Sequence, residues 1–476
     1  MVDLFVAEDN LTNVANVLGI KTELGFVLSQ YHSWNNDGIY TPIAHSEFTV
    51  TSGSGLEYLD LDISGDYIAV SSAALGGTGI VGVDKFNSSG SLISSGAWNP
   101  ANEFTGGSSF GTSIALDGNN LLVGDPLEGS GVGSATLITK DANTNWSDNG
   151  LAVDTAVIRA QFIDDTHEFG YGGVVVDGNT VVVADAQFGI TSPLINQRQG
   201  AIFVYEDDSL AAVVNNVFVN YELGTDIDFS GDTIISIEDG TNDAYIFERG
   251  AGWQNGNANL VEHIDGGLLT YDGVAIDGET IALSYNENNN SFIRLLENTG
   301  NDWSSATSTV VATGLTSTPY LMRHTLDLEG DTIVGVYSAD TRSVGNTDER
   351  QTVVWENTSD DWTNSTRSIL VNPFAAQEAA STLYYTQADV SLSGDTIAVS
   401  GHHNSLNGNL NEVFIYERST DWSSAVDPTA RITNPDDNTE FGGRVALDGD
   451  NLAISNDDEI LFYKKQSGWQ NGATNL

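Results

Sequence analysis

The stretch FGTSIALDGNNLLVGDP, residues 110–126, reads as two short strands joined by a tight turn. Ser113 to Leu116 and Leu121 to Gly124 carry the apolar residues, and Gly118-Asn119 lies between them. A two-residue hairpin loop needs residues that tolerate positive φ, which Gly and Asn supply. The same hairpin returns as YLDLDISGDYIAVSS (58–72), FGYGGVVVDGNTVVVAD (169–185), LGTDIDFSGDTIISI (223–237) and YDGVAIDGETIALS (271–284). It appears again as HTLDLEGDTIVGV (324–336), ADVSLSGDTIAVSG (388–401) and FGGRVALDGDNLAIS (441–455). The turn glycines are Gly65, Gly118, Gly178, Gly231, Gly278, Gly330, Gly394 and Gly449, spaced by 47 to 64 residues.

A third apolar strand follows each hairpin, as in GAIFVYE (200–206), DAYIFER (243–249) or NEVFIYER (411–418). A tryptophan then marks the next turn in seven units: Trp98, Trp146, Trp253, Trp303, Trp362, Trp422 and Trp469. The third unit has EDDSLAA (206–212) at that place instead. Each unit therefore reads as strand A, tight turn, strand B, variable loop, strand C, tryptophan turn and strand D. Four short strands in a repeating unit of this kind predict an all-β fold, a β-propeller of four-stranded blades. No blade buries its faces alone, and the ring of blades does so together. Eight blades are expected, with seven or nine as the alternatives.

The pattern F-G-x-S-[VI]-A-L-D-G-[DN]-x-L-x-V-G-[AD]-P, followed by G-x-[VI]-[FY]-V-[FY], resembles the FG-GAP repeat of integrin-α-like β-propellers. Phe110-Gly111, Phe169-Gly170 and Phe441-Gly442 keep its opening pair, and Leu223-Gly224 keeps the glycine. The resemblance spans residues 45–476 and implies a propeller. It does not fix an activity, because the fold carries adhesion, scaffolding and catalysis alike. Residues 1–44 read as a partial repeat or attachment segment. The last unit breaks off at WQNGATNL (469–476), and HSEFTVT (45–51) is placed to supply its outer strand, so the ring is expected to close through an N-terminal strand.

Composition sets the environment. The formal net charge is −50, from 66 acidic against 16 basic residues, of which five are Lys. Low hydrophobicity with high charge favours disorder, but 40% hydrophobic residues arranged in regular strands point to a folded chain. Dense Asp with little Lys suits a protein of a halophile, where molar salt screens self-repulsion within a few Å. An acidic secreted marine protein is the alternative. Nucleic acid is excluded as a partner, since binding it requires a basic footprint. With no cysteine, disulfides play no part. No apolar run approaches the ~18 residues of a membrane-spanning helix. MVDLFVAEDN (1–10) has neither a basic segment nor the apolar core of a secretory signal. A surface-type fold without that signal fits a spike or fibre protein displayed on a virion.

Catalytic motifs are lacking: there is no H-E-x-x-H, no Walker loop and no G-x-S-x-G elbow between a strand and a helix. GTGIVG (77–82) precedes a strand and opens no helix, which argues against a nucleotide site. DLDISGD (60–66) and DIDFSGD (226–232) resemble calcium loops in spacing alone. Their ninth and twelfth positions are Ile68 and Ser71, or Ile234 and Ile237, where a calcium loop needs oxygen. They read as strands ending in tight turns, and no metal or cofactor is expected. Asp62, Asp228 and Asp327, with Asp60, Asp226 and Asp389 two residues before the equivalent place, should line the central channel. Solvation by channel water is the expected state, and a bound cation is the alternative.

The A–B turns are all minimal, whereas B–C segments 186–200, 338–351 and 401–411 and the D–A connection 372–387 are long. Binding residues concentrate on long loops held by rigid scaffolds. Arg342, Arg350, Phe374, Tyr384, Tyr385, His402 and His403 are therefore the candidate ligand-binding residues, all near blades 6 and 7. The expectation is a non-enzymatic adhesion module that binds a cell-surface glycan or protein, without membrane insertion. Contacts with other virion or surface-layer proteins are consistent with it. A structural subunit of a shell, fibre or surface layer is the second reading, and a secreted polysaccharide-acting enzyme the third.

Overall fold

A computed structural model describes residues 47–49 and, between 56 and 469, the strands, their tight turns and most short connections. Eight four-stranded antiparallel sheets form eight blades. Their A strands are Leu56–Ser64, Ile114–Asp117, Val174–Asp177, Glu222–Ser230, Thr270–Asp277, Pro319–Glu329, Val390–Ser393 and Phe441–Asp448. Each A strand packs against the A strands before and after it, and that of blade 8 returns to that of blade 1. The A strands are thus innermost, around a common axis. In blade 8 the fourth strand is Glu47–Thr49, antiparallel to Glu459–Lys464 with Phe48 opposite Ile460. Residues 1–44 lie outside the described residues.

The hairpin turns sit where the glycines predict, with φ between +52° and +60° at all eight. Strand B is apolar on both faces because blades cover it from both sides, as in Val181–Val183 and Ile333–Val334. A serine nonetheless recurs in it, and most A strands carry a bulge that explains why. In blades 1 and 4 the Ser71 and Ser236 hydroxyls donate to the carbonyls of Asp60 and Asp226, both at 3.2 Å. In blades 7 and 8 the Asp389 and Arg444 N–H groups donate to Ser400 and Ser455 Oγ, both at 2.7 Å. In blades 1, 4 and 8 the hydroxyl satisfies a backbone group beside the bulge, and in blade 7 it does so for the residue just ahead of the A strand.

The turn tryptophans among the described residues are wedges between blades; Trp98 lies outside those residues. Trp422 packs on Val334, Val336 and Val354 of blade 6, and Trp303 fills the equivalent place between blades 4 and 5. Their indole N–H groups donate to Thr332 and Thr233 of the preceding blade, at 3.2 and 3.3 Å. Blade 3, which lacks the tryptophan, closes its C–D connection as a tight hairpin between Ala201–Glu206 and Ser209–Asn215. An edge-to-face pair, Phe169 and Phe203 at 4.8 Å, helps fill the seam to blade 2.

Strand C of one blade also locks onto the start of the next. Gly133 and Gly200, just ahead of strand C in blades 2 and 3, form parallel bridges with Phe169 and Leu223. Near the end of strand C a second seam forms. Arg249 reaches Glu206 of blade 3 at 2.6 Å, Arg418 reaches Glu356 of blade 6 at 2.9 Å, and Lys465 reaches Glu417 of blade 7 at 2.8 Å. Five of the scarce basic residues lie at this face: Lys140, Arg249, Arg418, Lys464 and Lys465.

Two loop expectations need correction. Strand B of blade 7 runs as Thr396–His403, with His402 opposite Asn411 and His403 opposite Leu410. His402 and His403 are therefore ladder residues and not loop residues, because nothing in Gly401-His402-His403 stops the pleat. In blade 3, residues 186–200 contain a second hairpin, Gly189–Ser192 with Ile195–Arg198.

Candidate functional site

The inner edge of a propeller blade has unpaired backbone N–H groups at every second residue, and an exposed edge of this kind must be covered. Here the preceding blade covers it with side chains. The residue just before each turn glycine accepts the N–H of the next blade's turn glycine. Ser64 takes Gly118 at 3.1 Å, Asp117 takes Gly178 at 2.6 Å, Asp177 takes Gly231 at 3.2 Å and Ser230 takes Gly278 at 3.1 Å. Asp277 takes Gly330 at 2.7 Å, Glu329 takes Gly394 at 2.7 Å and Ser393 takes Gly449 at 2.9 Å. Asp448 then takes Gly65 at 2.6 Å, returning from blade 8 to blade 1. The eight bonds form a closed circuit.

The channel carboxylates form further tiers of the same device. Asp62, Asp228 and Asp327 Oδ2 accept the N–H groups of Leu116, Ile276 and Leu392, at 2.7, 2.8 and 2.8 Å. Asp60, Asp226 and Asp389 Oδ2 accept those of Ile114, Val274 and Val445, at 3.0, 3.3 and 3.0 Å. Blades 8, 3 and 5 offer Ala446, Val175 and Ala275 at the second tier, which accept nothing. In the blades that follow them, Asp62, Asp228 and Asp327 turn Oδ1 back to the N–H of their own next residue, each at 2.8 Å. These carboxylates staple blades through backbone N–H groups, which corrects the expectation of carboxylates merely solvated by channel water. DLDISGD and DIDFSGD are strands entering turns, and among the described residues no group of three metal-ligating side chains converges.

Enclosure has an electrostatic consequence. Burial, reinforced by neighbouring carboxylates, raises Asp62 and Asp228 to about 7 and Asp327 to about 6. Burial also raises Asp60, against the pull of Arg444. A carboxyl with a raised folded pKa favours the folded state below its unfolded value, and that contribution is lost as pH rises through the folded one. Stability in molar salt should accordingly fall by a few degrees in melting temperature from pH 4 to pH 7. Screening within ~3 Å mutes the surface charges at that salt, so Asp62→Asn/Asp228→Asn/Asp327→Asn should flatten the slope. A variant that melts with the parent's pH dependence would show that other groups set it.

The opposite ends of the strands carry the B–C and D–A connections, here termed the loop face. Of the sequence-derived candidates, Arg350 lies on strand C of blade 6 opposite Ser338, and His402 and His403 end strand B of blade 7. All three stand at the loop-face ends of adjacent blades. Arg342, Phe374, Tyr384 and Tyr385 lie outside the described residues.

A second group on this face has no motif in the sequence to announce it. At blade 4, His263 Nε2 lies 2.9 Å from Asp243 Oδ2, and Asp243 Oδ1 accepts the Gly266 N–H at 2.8 Å. The His263 ring stacks on Tyr245, with centroids 4.8 Å apart and planes 5° from parallel. Across the seam, blade 5 presents Tyr271, Tyr285 and Phe292. Tyr271 meets Tyr285 edge-to-face at 5.9 Å, and Tyr285 stacks on Phe292 at 5.4 Å. Arg294 donates through Nε to Ser308 Oγ at 3.1 Å and through Nη1 to the Tyr271 hydroxyl at 3.5 Å. The Tyr271 phenol is raised by burial and feels Arg294, Asp243 and Asp265 together, so both halves act on one locus. Strand register could have paired Tyr245 with His263, which sit directly opposite on strands C and D.

No family model and no curated protein matches the chain. Solved propellers resemble it in shape. The Nup133 β-propeller domain of Vanderwaltozyma polyspora aligns over 84% of this chain and 100% of its own, at 9% identity and a TM-score of 0.44. The β-propeller domain of the Trilobed protease from Pyrococcus furiosus aligns over 79% and 99%, at 9% identity and 0.43. The WD40 domain of Toxoplasma gondii coronin aligns over 75% and 82%, at 9% identity and 0.43. A protease propeller domain, a WD40 domain and a Nup133 domain stand side by side here, and none assigns an activity to this chain.

Proposed function

We propose that the chain is a recognition module of FG-GAP type that binds a cell-surface glycan or protein through its loop face. The observation that carries this reading is the asymmetry of the two faces. One ends in eight minimal A–B turns, fastened by the circuit of glycine N–H bonds. The other bears the extra hairpin of blade 3, the connections of blades 6 and 7, and the aromatic, histidine and arginine group of blades 4 and 5. Rigid scaffold below and varied loops above is the arrangement of a binding protein. The net charge of −50 supports display in high salt, on a virion infecting a halophile. Pairing of Glu47–Thr49 with blade 8 supports closure of the ring by an N-terminal strand.

The test is a whole-cell and glycan-array binding assay in molar salt with the intact protein and with Arg342→Ala/Tyr384→Ala/Tyr385→Ala, both verified as folded. Binding by the intact protein that falls at least about tenfold in the variant is expected, since aromatic and arginine anchors dominate binding energy. Intact protein that binds no cell and no glycan would favour a structural subunit instead.

A further inference from the structure

Arg294 differs from Arg249, Arg418, Arg431 and Arg444 of this acidic chain. Arg249, Arg418 and Arg431 each pair with a carboxylate, and Arg444 lies within the field of Asp60. Arg294 is held instead by two neutral oxygens, those of Ser308 and Tyr271. These contacts fix the guanidinium without neutralising it. They use two of its five N–H donors, leaving donors that can grip a planar anion. Arg294 is also half-buried, so its orientation is set and part of it remains open to solvent.

The surroundings narrow the anion. Phe292 is half-buried, two residues from Arg294 on the same face of the strand, and it extends the Tyr271 and Tyr285 rings. It provides a flat apolar surface beside the cation. Asp265 is exposed at the same rim, and Asp243 orients His263. Carboxylates and an imidazole suit hydroxyl groups, which donate to the first and exchange hydrogen bonds with the second. The carboxylates would repel a simple anion that offered nothing else. A ligand that satisfies all three parts has one carboxylate, several hydroxyls and a ring with an apolar face.

We propose that the loop-face seam between blades 4 and 5 is a subsite for a carboxylated sugar, with Arg294 gripping the carboxylate and Phe292 supporting the ring. The proposal rests on the recognition reading above and names its ligand class. In molar salt, where screening acts within ~3 Å, the direct guanidinium–carboxylate contact and the ring contact carry the binding. Long-range attraction contributes little there.

The experiment titrates the full chain in molar salt with a glucuronate oligosaccharide, its neutral glucose counterpart and acetate. Parent, Arg294→Ala, Arg294→Lys and Phe292→Ala are compared after their melting temperatures confirm folding. The parent should bind the uronate and neither control. Arg294→Ala should weaken it about tenfold or more, consistent with loss of a hydrogen bond to a charged group. Arg294→Lys should restore little, because an ammonium cannot make the planar contact. Equal affinity of parent and Arg294→Ala, or no uronate binding by the folded parent, overturns the subsite. If the parent binds cells while showing no uronate affinity, the subsite fails and the recognition reading stands. If it binds neither, both fail.

Discussion

Trp422→Ala should destabilise the protein by about 4 kcal/mol, within the range for deleting a fully buried aromatic side chain. The indole is wholly enclosed against Val334, Val336 and Val354 of blade 6, so removing it leaves a void that strands on two blades cannot collapse to fill. Its ring also lies 5.8 Å from the guanidinium of Arg418, which binds Asp331, Glu356 and Asp395 at 2.7 to 2.9 Å. Losing the wedge therefore loosens the ionic seam as well. Trp422→Phe should recover most of the packing and none of the hydrogen bond to Thr332. Chemical denaturation in molar salt measures both. A loss below about 1 kcal/mol, the ordinary effect of a surface change, would mean that the seam between blades 6 and 7 is not packed as described.

Gly200→Ala should be nearly as damaging for a different reason. Gly200 has φ +67°, and a Cβ there would meet the Leu223 backbone O at 2.1 Å and N at 2.2 Å. Those are backbone atoms at the start of blade 4, and they cannot swing aside as a side chain would. The parallel bridge from Gly200 to Leu223 must open. Gly118→Ala is the matched control, since φ is +52° with nothing within 4 Å of the added atom. It bears only the left-handed backbone penalty of about 1 kcal/mol. Gly200→Ala should exceed it by ~2 kcal/mol or more, as strain at a special backbone position does. Equal melting temperatures for the two would place no close contact at that junction.

These two residues mark what is and is not legible in the sequence. The hairpins are legible because a two-residue turn demands glycine at one place, and eight such glycines at near-regular spacing leave few alternatives to a propeller. The tryptophans reveal their position but not their task, since the wall they press on belongs to another blade. Gly200 stands in the quoted strand motif, yet its partner Leu223 can be identified only once blades 3 and 4 are adjacent. Strand periodicity locates the channel aspartates and leaves their bonding open. Whether Asp62 meets water or the Leu116 N–H depends on the rotation between neighbouring blades, which that periodicity does not encode. The pattern does contain a trace of it. Asp recurs in the blades that follow Ala446, Val175 and Ala275, three of the four second-tier residues unable to accept a hydrogen bond; the fourth, Ala115, is followed by Val175. His263 and Arg294 escape a reading of the sequence because neither stands in a motif: His263 follows Glu262 on Leu260–Ile264, and Arg294 lies between Ile293 and Leu295 on Asn290–Glu297. Only register across strands and blades brings their neighbours together.

The binding face is the central claim, and the absence of cysteine allows it to be tested by one measurement. Single-cysteine variants Asn179→Cys, at the exposed A–B turn of blade 3, and Asp265→Cys, at the loop face of blade 4, would each be coupled to a large polyethylene glycol. Cell binding in molar salt is then compared between coupled and uncoupled protein. Recognition through the loop face predicts that the polymer at residue 265 abolishes binding and the polymer at residue 179 leaves it intact. Loss of binding with the polymer at residue 179, and retention with it at residue 265, would contradict the account.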